Sequence, residues 1–145
     1  MRSFRSLLVL ILAATAACAT VAAPSDAESQ AVGTWYGEFT EAGAPTQRFL
    51  TTRFPDGTYT LRARLYDKNP PTELVNRGLW GISNGLYFTI TTEINGQPVD
   101  ARNAQAANHY LVQSQSPTEF VYRHLASNRS FRVVRVDPAA ARLPD

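Results

Sequence analysis

The sequence predicts an all-β protein in which eight antiparallel strands follow one another in an up-and-down meander and close into a small barrel. Two observations support this prediction. From Val32 onward, apolar residues recur with a period of two, which is the spacing of side chains on one face of a strand. The alternating segments are short, and pairs such as Asp56-Gly57 and Asn84-Gly85 separate them. Such pairs form tight turns and join neighbouring strands antiparallel.

The strands are placed by following this alternation along the chain. Tyr59 and Leu61 share one face of the third strand, and Leu86, Phe88 and Ile90 share one face of the fifth. We expect these faces to point into the interior. The predicted strands cover residues 32–39, 46–54, 58–66, 74–82, 86–94, 108–115, 118–125 and 129–136.

Eight strands that each have one apolar face must bury that face away from water. A meander does so by closing into a barrel, which also removes exposed sheet edges, and a two-layer sandwich with the same connectivity is the alternative. The long connection, residues 97–107, is predicted to contain a helical turn after Asp100 that covers one mouth of the barrel. Residues 137–145 include Pro138 and Pro144 and are predicted to be a disordered tail.

Residues 1–23 are predicted to be a signal peptide. Arg2 and Arg5 precede an apolar run, which small residues follow. An uncleaved membrane anchor is the rival interpretation, but the uncharged run is rich in alanine and shorter than a typical spanning helix. Residues 24–31 are small and polar and are predicted to be a flexible linker to a barrel domain at 32–136. The protein is therefore expected to be exported.

Cys18 is the only cysteine, so no disulfide can form within the chain. Residues 14–18, Ala-Thr-Ala-Ala-Cys, resemble a bacterial lipobox, whose cysteine is acylated and becomes the new N-terminus. This resemblance implies a lipid anchor at Cys18 and a location in the periplasm or as an outer-membrane lipoprotein. Ordinary cleavage after Ala19 or Ala23 would instead remove Cys18.

The charge balance argues against a nucleic-acid partner. The chain has 14 Lys and Arg against 12 Asp and Glu, and loss of Arg2 and Arg5 with the leader leaves 12 of each sign. Phosphate binding requires clustered positive charge. The strand arginines are predicted on the outer sheet, where they protect edges and maintain solubility, or attract anionic lipid: Arg53, Arg62, Arg64, Arg77, Arg123 and Arg132.

A family resemblance rests on Gly33-Thr34-Trp35 at the start of the first strand, Phe54 to Tyr59 in a hairpin, Gly78-Leu79-Trp80 before Asn84-Gly85, and Arg135 in the last strand. This arrangement resembles lipocalin-like (calycin-type) barrels, and in particular the small domains of this type that bacteria export. The resemblance implies that Trp35 plugs the closed end of the barrel and that Arg135 packs across its ring. Gly33, Trp35 and Arg135 are therefore the predicted structural residues.

The inward phase of such a barrel would line a cavity with aromatic side chains. Inward tyrosine hydroxyls need hydrogen-bond partners, and a ligand is one such partner. The candidate ligand-binding residues are Tyr59, Phe88, Tyr110, Phe120, Tyr122 and His124. We predict an envelope-anchored binding protein for a small apolar or amphipathic ligand. The alternative is a solid-cored barrel that serves as a protein-interaction module, an inhibitor or assembly factor; the oligomeric state stays open.

Catalysis and metal binding are not expected. No serine, histidine and carboxylate residues assemble a convincing nucleophile and base, so the chain is predicted not to be an enzyme. His109 and His124 have opposite phase in adjacent strands, and the domain has no cysteine ligand, so no metal site is predicted. No phosphate or dinucleotide motif occurs, and no cofactor is predicted.

Overall fold

The alternating segments form strands close to the predicted positions. The computed structural model describes residues 25–100, 102–103 and 106–145. Helix α1 (Asp26–Ala31) is followed by strands β1 (Gly33–Phe39), β2 (Gln47–Arg53), β3 (Thr58–Leu65), β4 (Thr72–Ser83), β5 (Leu86–Ile94), β6 (Gln97–Pro98), β7 (Ala107–Gln115), β8 (Glu119–His124) and β9 (Ser130–Val136). Strand β6 has only two residues, and the other eight correspond to the predicted strands.

The strands pair antiparallel in the order β4-β3-β2-β1-β9-β8-β7-β5-β6, and β4 also pairs with β5. This last pairing closes the hydrogen-bonded ladder into a ring. The prediction of an all-β, eight-stranded meander that closes into a barrel is therefore confirmed, and the two-layer sandwich is not what the chain forms. The short β6 adds to β5 at one end of the barrel.

The tight turns adopt left-handed backbone conformations at the predicted pairs. Asn84 and Gly85 have φ of 50° and 76°, and Gly57 has φ of 81°. Glycine and asparagine tolerate this region better than other residues do. Asn95 and Gly96 form a further turn of this kind, with φ of 49° and 79°, and it leads into β6 within the long connection.

The predicted flexible linker contains a capped helix instead. Ser25 is the N-cap of α1, and its side chain accepts a hydrogen bond from the Glu28 amide while the Glu28 carboxylate accepts one from the Ser25 amide, at 3.0 Å. Glu28 also accepts a hydrogen bond from the Ile82 amide at 3.2 Å. Ala31 is buried, and its carbonyl oxygen accepts a 2.8 Å hydrogen bond from Trp35 Nε1. These contacts hold α1 against the barrel.

Strand β5 turns the opposite face inward from the one predicted. Tyr87 and Thr89 are buried in the interior, where they lie opposite Ile82 and Trp80 of β4. Phe88, predicted as an inward ligand-binding residue, lies half-buried on the outer wall. The alternation of apolar residues predicted the wrong inward face of β5, because the part of the interior that β5 lines is polar and the hydroxyl groups of Tyr87 and Thr89 are buried there.

Residues 137–145, predicted to be a disordered tail, run back along the outer wall. Arg64 Nη1 donates hydrogen bonds to the carbonyl oxygens of Leu143 at 3.1 Å and Pro144 at 2.6 Å, and Tyr66 Oη donates to Pro144 O at 2.7 Å. Leu50, on the outward phase of β2, is buried beside Ala141. The tail is therefore attached to β2 and β3.

Some predictions fall outside the described residues. The signal peptide and Cys18 lie within residues 1–24, which are not described, and the helical turn after Asp100 is described only in part, because residues 101, 104 and 105 are not. Within the described part of the chain, the helix is too short and too polar to cross a bilayer.

Candidate functional site

Five of the six predicted ligand-binding residues lie on the inward phase of the barrel. Tyr59, Tyr110 and Tyr122 surround a small cavity. Phe120 is fully buried next to it, with its ring centroid 5.0 Å from that of Tyr122. His124 packs beside Tyr110, with ring centroids 5.1 Å apart.

The pairing of β7 with β5 and β8 assembles a tyrosine cluster. Tyr110 of β7 pairs with Tyr87 of β5 on one side and with His124 of β8 on the other. The rings of Tyr87 and Tyr110 are stacked at 5.1 Å, and Tyr122 meets both edge-on at 5.1 and 5.2 Å. Such ring pairs favour defined geometries, so the cluster holds its hydroxyl groups in fixed positions.

The cavity has a volume of about 90 Å³ and is lined mainly by hydroxyl and amide groups. Strands β2, β3, β4, β5, β7 and β8 all contribute to its wall, and the lining residues are Thr51, Tyr59, Leu61, Asn76, Tyr87, Thr89, Thr91, Asn108, Tyr110 and Tyr122. None of these residues is acidic. The site is thus a polar chamber, in which the predicted inward tyrosines are joined by threonine and asparagine side chains.

The lining hydroxyls form an incomplete hydrogen-bond network. Tyr59 Oη and Thr91 Oγ1 are 2.8 Å apart and share a hydrogen bond. Asn76 Oδ1 is buried and has no hydrogen-bond partner among the described residues. A buried acceptor without a partner costs free energy, typically about 1–3 kcal/mol. The chamber therefore offers donors and acceptors that a polar guest can satisfy.

Burial keeps the chamber phenols neutral. Desolvation raises the pKa of the Tyr110 and Tyr122 phenols well above the ordinary value of 10, and the nearby Arg53 charge opposes this effect only in part. Desolvation also raises the pKa of Tyr59, against the hydrogen bond from Thr91. These three groups therefore remain hydrogen-bond donors at every physiological pH.

Arg53 is a buried residue beside the chamber whose burial was not predicted from the sequence. It was predicted on the outer sheet, but it is 1% exposed and lies in the interior below the chamber. Its guanidinium carbon lies 4.7 Å from the Tyr87 ring centroid and 5.0 Å from that of Phe120. The available signal was its position: in β2 it has the same phase as Phe49 and Thr51, which are also buried.

Trp35 lies in the barrel interior near the point where α1 leads into β1. Its ring is fully buried, and the guanidinium carbons of two arginines lie near it, that of Arg53 at 5.8 Å and that of Arg135 at 4.3 Å from the ring centroid. Arg135 also donates hydrogen bonds to the carbonyl oxygens of Pro117 at 2.5 Å, Val32 at 2.7 Å and Gln30 at 2.5 Å. A Cβ at Gly33, where φ is 122°, would lie 2.3 Å from Arg135 Nη1. All three guanidinium nitrogens of Arg135 thus donate hydrogen bonds beside Trp35.

The outer wall has an apolar surface on β4, β5 and β7, here called the outer strip. It consists of Leu79, Leu86, Phe88, Ile90 and Leu111. Leu79 pairs with Ile90, and Leu86 pairs with Leu111, so the side chains are neighbours across the strands. Leu79 is 47% exposed and Leu86 is 40% exposed. A group of adjacent exposed apolar residues is typical of an interaction surface.

His124 makes a local hydrogen bond to the turn that follows β8. Its Nδ1 lies 2.8 Å from Ser127 Oγ and accepts from the Ser127 amide at 3.3 Å. Within residues 25–145, as far as they are described, no three His, Cys, Asp or Glu side chains come together as a group that could hold a metal ion. His124 thus orders a turn at the rim of the barrel.

The fold and the chamber define a closed antiparallel eight-stranded barrel with a small polar interior. This architecture is compatible with a lipocalin-like fold. Comparison with protein-family models gives no match, and comparison with curated protein sequences gives none either.

Proposed function

We propose that this protein is a lipocalin-like binding protein that holds a small polar molecule inside its barrel. The observation that supports this proposal is the chamber of about 90 Å³, in which hydroxyl and amide groups from six strands converge. Pockets for drug-sized ligands typically have volumes of about 300–1,000 Å³ and are mostly apolar. The ligand class is therefore smaller and more polar than the apolar or amphipathic molecule predicted from the sequence.

The proposal places the protein outside the cytoplasm. The charged, apolar and small-residue order of residues 1–23 supports export, and Cys18 supports an acyl anchor in the outer membrane or a periplasmic location. The mature protein binds its ligand without transforming it, because the chamber contains neither a carboxylate nor a histidine that could act as a base.

The test is native mass spectrometry of the full-length protein purified from cells that export it. We expect a co-purified molecule of low mass and, separately, the mass of an acyl chain on Cys18. A Tyr110→Phe, Thr89→Val double variant removes two chamber hydroxyls and should lose the bound molecule. Tyr66→Phe removes a hydroxyl from the outer wall, where Tyr66 contacts Pro144, and should retain it.

Two results would contradict the proposal. The first is retention of the bound molecule by the double variant, which would place the molecule elsewhere. The second is the absence of any bound molecule together with unchanged chamber amide resonances when millimolar concentrations of small amides, alcohols and acids are added. An unacylated Cys18, or a mature chain that lacks it, would contradict the anchor and leave the binding proposal standing.

The outer strip supports a second candidate function, a protein-interaction module that binds an apolar surface of an envelope partner. A photo-crosslinking side chain at Ile90, in the strip, is the probe, and one at Arg132, on β9, is the matched control. The second function requires crosslinks to one defined protein from position 90 and none from position 132. Equal crosslinking from both positions would contradict it.

A further inference from the structure

Arg53 is a buried cation whose charge has no ionic partner among the described residues. Its Nη1 and Nη2 atoms are buried and make no hydrogen bond within the described residues, and only Nε donates one, to Tyr87 Oη at 3.3 Å. None of the ion pairs in the described part of the chain includes Arg53. A guanidinium stays charged in proteins, and an unpaired buried charge is strongly unfavourable.

Stacking on aromatic rings does not replace hydrogen bonds to the guanidinium. The rings of Tyr87 and Phe120 lie within 5.0 Å of the Arg53 guanidinium carbon and stabilise the cation in part. Arg135 is the natural comparison, because it lies over the same indole of Trp35 but donates three hydrogen bonds to carbonyl oxygens. Each guanidinium nitrogen of Arg135 therefore donates a hydrogen bond, whereas Nη1 and Nη2 of Arg53 donate none within the described residues.

Two of the residues that line the chamber also contact this charge, although Arg53 itself does not line it. Tyr87 and Tyr122 both line the chamber and both face the Arg53 guanidinium, at 4.7 and 6.0 Å from its carbon. Tyr87 Oη accepts the Arg53 Nε hydrogen bond, so its own proton is free to be donated to another acceptor. The positive charge is thus linked to the chamber through the Tyr87 hydroxyl, which can donate its own proton to a guest.

The rest of the chamber wall suits an oxyanion. No acidic residue lines it, and burial raises the pKa of the Tyr110 and Tyr122 phenols, which keeps them protonated and able to donate. The Asn108 amide adds a further donor type to the wall. Apart from the Asn76 acceptor, the wall thus offers neutral donors near one uncompensated cation, a composition that suits an anion.

We propose that the chamber binds the carboxylate of a small organic acid, with the acid charge balancing Arg53 and Tyr87 Oη donating to a carboxylate oxygen. This inference rests on the proposed function, since it names the ligand class of the same chamber. A volume of about 90 Å³ limits the guest to an acid with a few carbon atoms. The acid charge also offsets part of the penalty of the unpaired guanidinium, to which it is linked through Tyr87 Oη.

The test compares charged and neutral probes of one shape on the full-length protein. Sodium propionate and propionamide are titrated separately at fixed ionic strength, with calorimetry and with the amide resonances of Thr89 and Thr91 as readouts. We expect propionate to bind at least tenfold more tightly than propionamide and to shift both resonances to saturation. Sodium nitrate, added in a third titration, reports on inorganic oxyanions.

Variants separate the role of Arg53 from a general effect on folding. Arg53→Met removes the charge and retains the volume, and it should weaken propionate binding at least tenfold with propionamide binding unchanged. Tyr87→Phe should weaken propionate binding about fivefold. Arg132→Met, on the outer wall, is the matched control and should bind propionate as the unaltered protein does. If Arg53→Met does not fold, Arg53→Lys tests whether the positive charge suffices for binding. The affinity of Arg53→Lys for propionate should stay within tenfold of that of the unaltered protein.

Each contrary outcome has one meaning. Equal binding of propionate and propionamide would overturn the carboxylate inference and leave the binding function intact. Nitrate binding as tightly as propionate would overturn the assignment to an organic acid. Unchanged propionate affinity in Arg53→Met would overturn the role of Arg53. No response of the chamber resonances to any probe would overturn both the inference and the proposed function.

Discussion

Alanine in place of Gly78 would put a methyl group against the backbone of the neighbouring strand. The added Cβ would lie 1.9 Å from the carbonyl oxygen of Ile90 and 3.0 Å from the Cα of Thr91. Ordinary van der Waals contacts begin at 3.4 Å. The Cβ is 1.9 Å from the Ile90 oxygen, so β4 and β5 would have to separate by about 1.5 Å to restore an ordinary contact. No side-chain rotation relieves this contact, because both neighbouring atoms belong to the backbone.

A separation of that size breaks the ladder hydrogen bonds on either side of Gly78. Two lost bonds cost about 1 kcal/mol each, and overpacking typically adds about 1–3 kcal/mol. We therefore expect Gly78→Ala to lower the free energy of unfolding by about 3–5 kcal/mol. This loss is large beside the total stability of a typical domain, about 5–15 kcal/mol.

Gly81→Ala is the matched control, three positions further along the same strand. Its added Cβ would lie 2.6 Å from Phe88 Cζ, the far end of a half-buried side chain that can rotate toward solvent. Moving Phe88 off its rotamer costs about 0.5–1.5 kcal/mol. Alanine also restricts the unfolded chain more than glycine does, which stabilises the folded protein by about 0.4–1 kcal/mol. The net change should stay within about 1 kcal/mol.

Urea denaturation followed by far-ultraviolet circular dichroism measures both variants under one set of conditions. The reasoning requires Gly78→Ala to be the less stable variant by at least about 2 kcal/mol. Equal losses in the two variants would refute the distinction between a backbone contact and a side-chain contact.

Three further predictions test other parts of the fold. Between pH 10 and the raised pKa values of the Tyr110 and Tyr122 phenols, the unfolded chain releases protons that the folded chain retains. The free energy of unfolding should therefore fall by about 1.4 kcal/mol per pH unit for each phenol. In an alkaline titration, phenolate absorbance in the ultraviolet should rise together with unfolding. Full ionisation of both phenols near pH 10 in the folded protein would contradict the raised pKa values. Trp35→Ala should cost about 3–5 kcal/mol by urea denaturation, because a buried ring leaves a cavity, and a loss below about 1 kcal/mol would show that the closed end repacks. Ser25→Ala removes half of the capping box and should cost about 1 kcal/mol, with faster amide exchange confined to α1; unchanged exchange there would show that Glu28 and Trp35 hold the helix without its cap.

The positions of the strands could be predicted because local signals fix them. Alternation requires an extended chain, and pairs such as Asn84-Gly85 require left-handed turns at defined points. Once eight adjacent strands each have a face to bury, closure follows from the order of the strands along the chain. Asn95-Gly96 contains the same type of signal, and it could have revealed the turn that leads to β6.

The inward face of β5 could not be predicted from alternation alone. A pattern of Leu86, Phe88 and Ile90 against Tyr87 and Thr89 indicates a strand, but the choice of face depends on what the other strands place at the same level. Here the facing residues are tyrosines and an arginine, so the hydroxyl-bearing side of β5 is buried. The burial of Arg53 is a different case, because its phase in β2, shared with Phe49 and Thr51, did indicate an inward position.

Helix α1 was missed although its signal was present. Ser25 and Glu28 have the spacing of a capping box, but the small and polar composition of residues 24–31 is also that of a linker. The attachment of the tail depends on Arg64 reaching carbonyl oxygens about 80 positions away, a contact that no local pattern reports.

Trp35 is also a natural optical probe of the barrel floor. Its indole lies against the Arg53 guanidinium, and the emission wavelength of an indole responds to the electric field at the ring. A guest that neutralises this cation would therefore alter the emission colour without any label. The second tryptophan, Trp80, donates its Nε1 hydrogen to Phe54 O at 3.1 Å near the wall, so a Trp80→Phe protein would report on Trp35 alone.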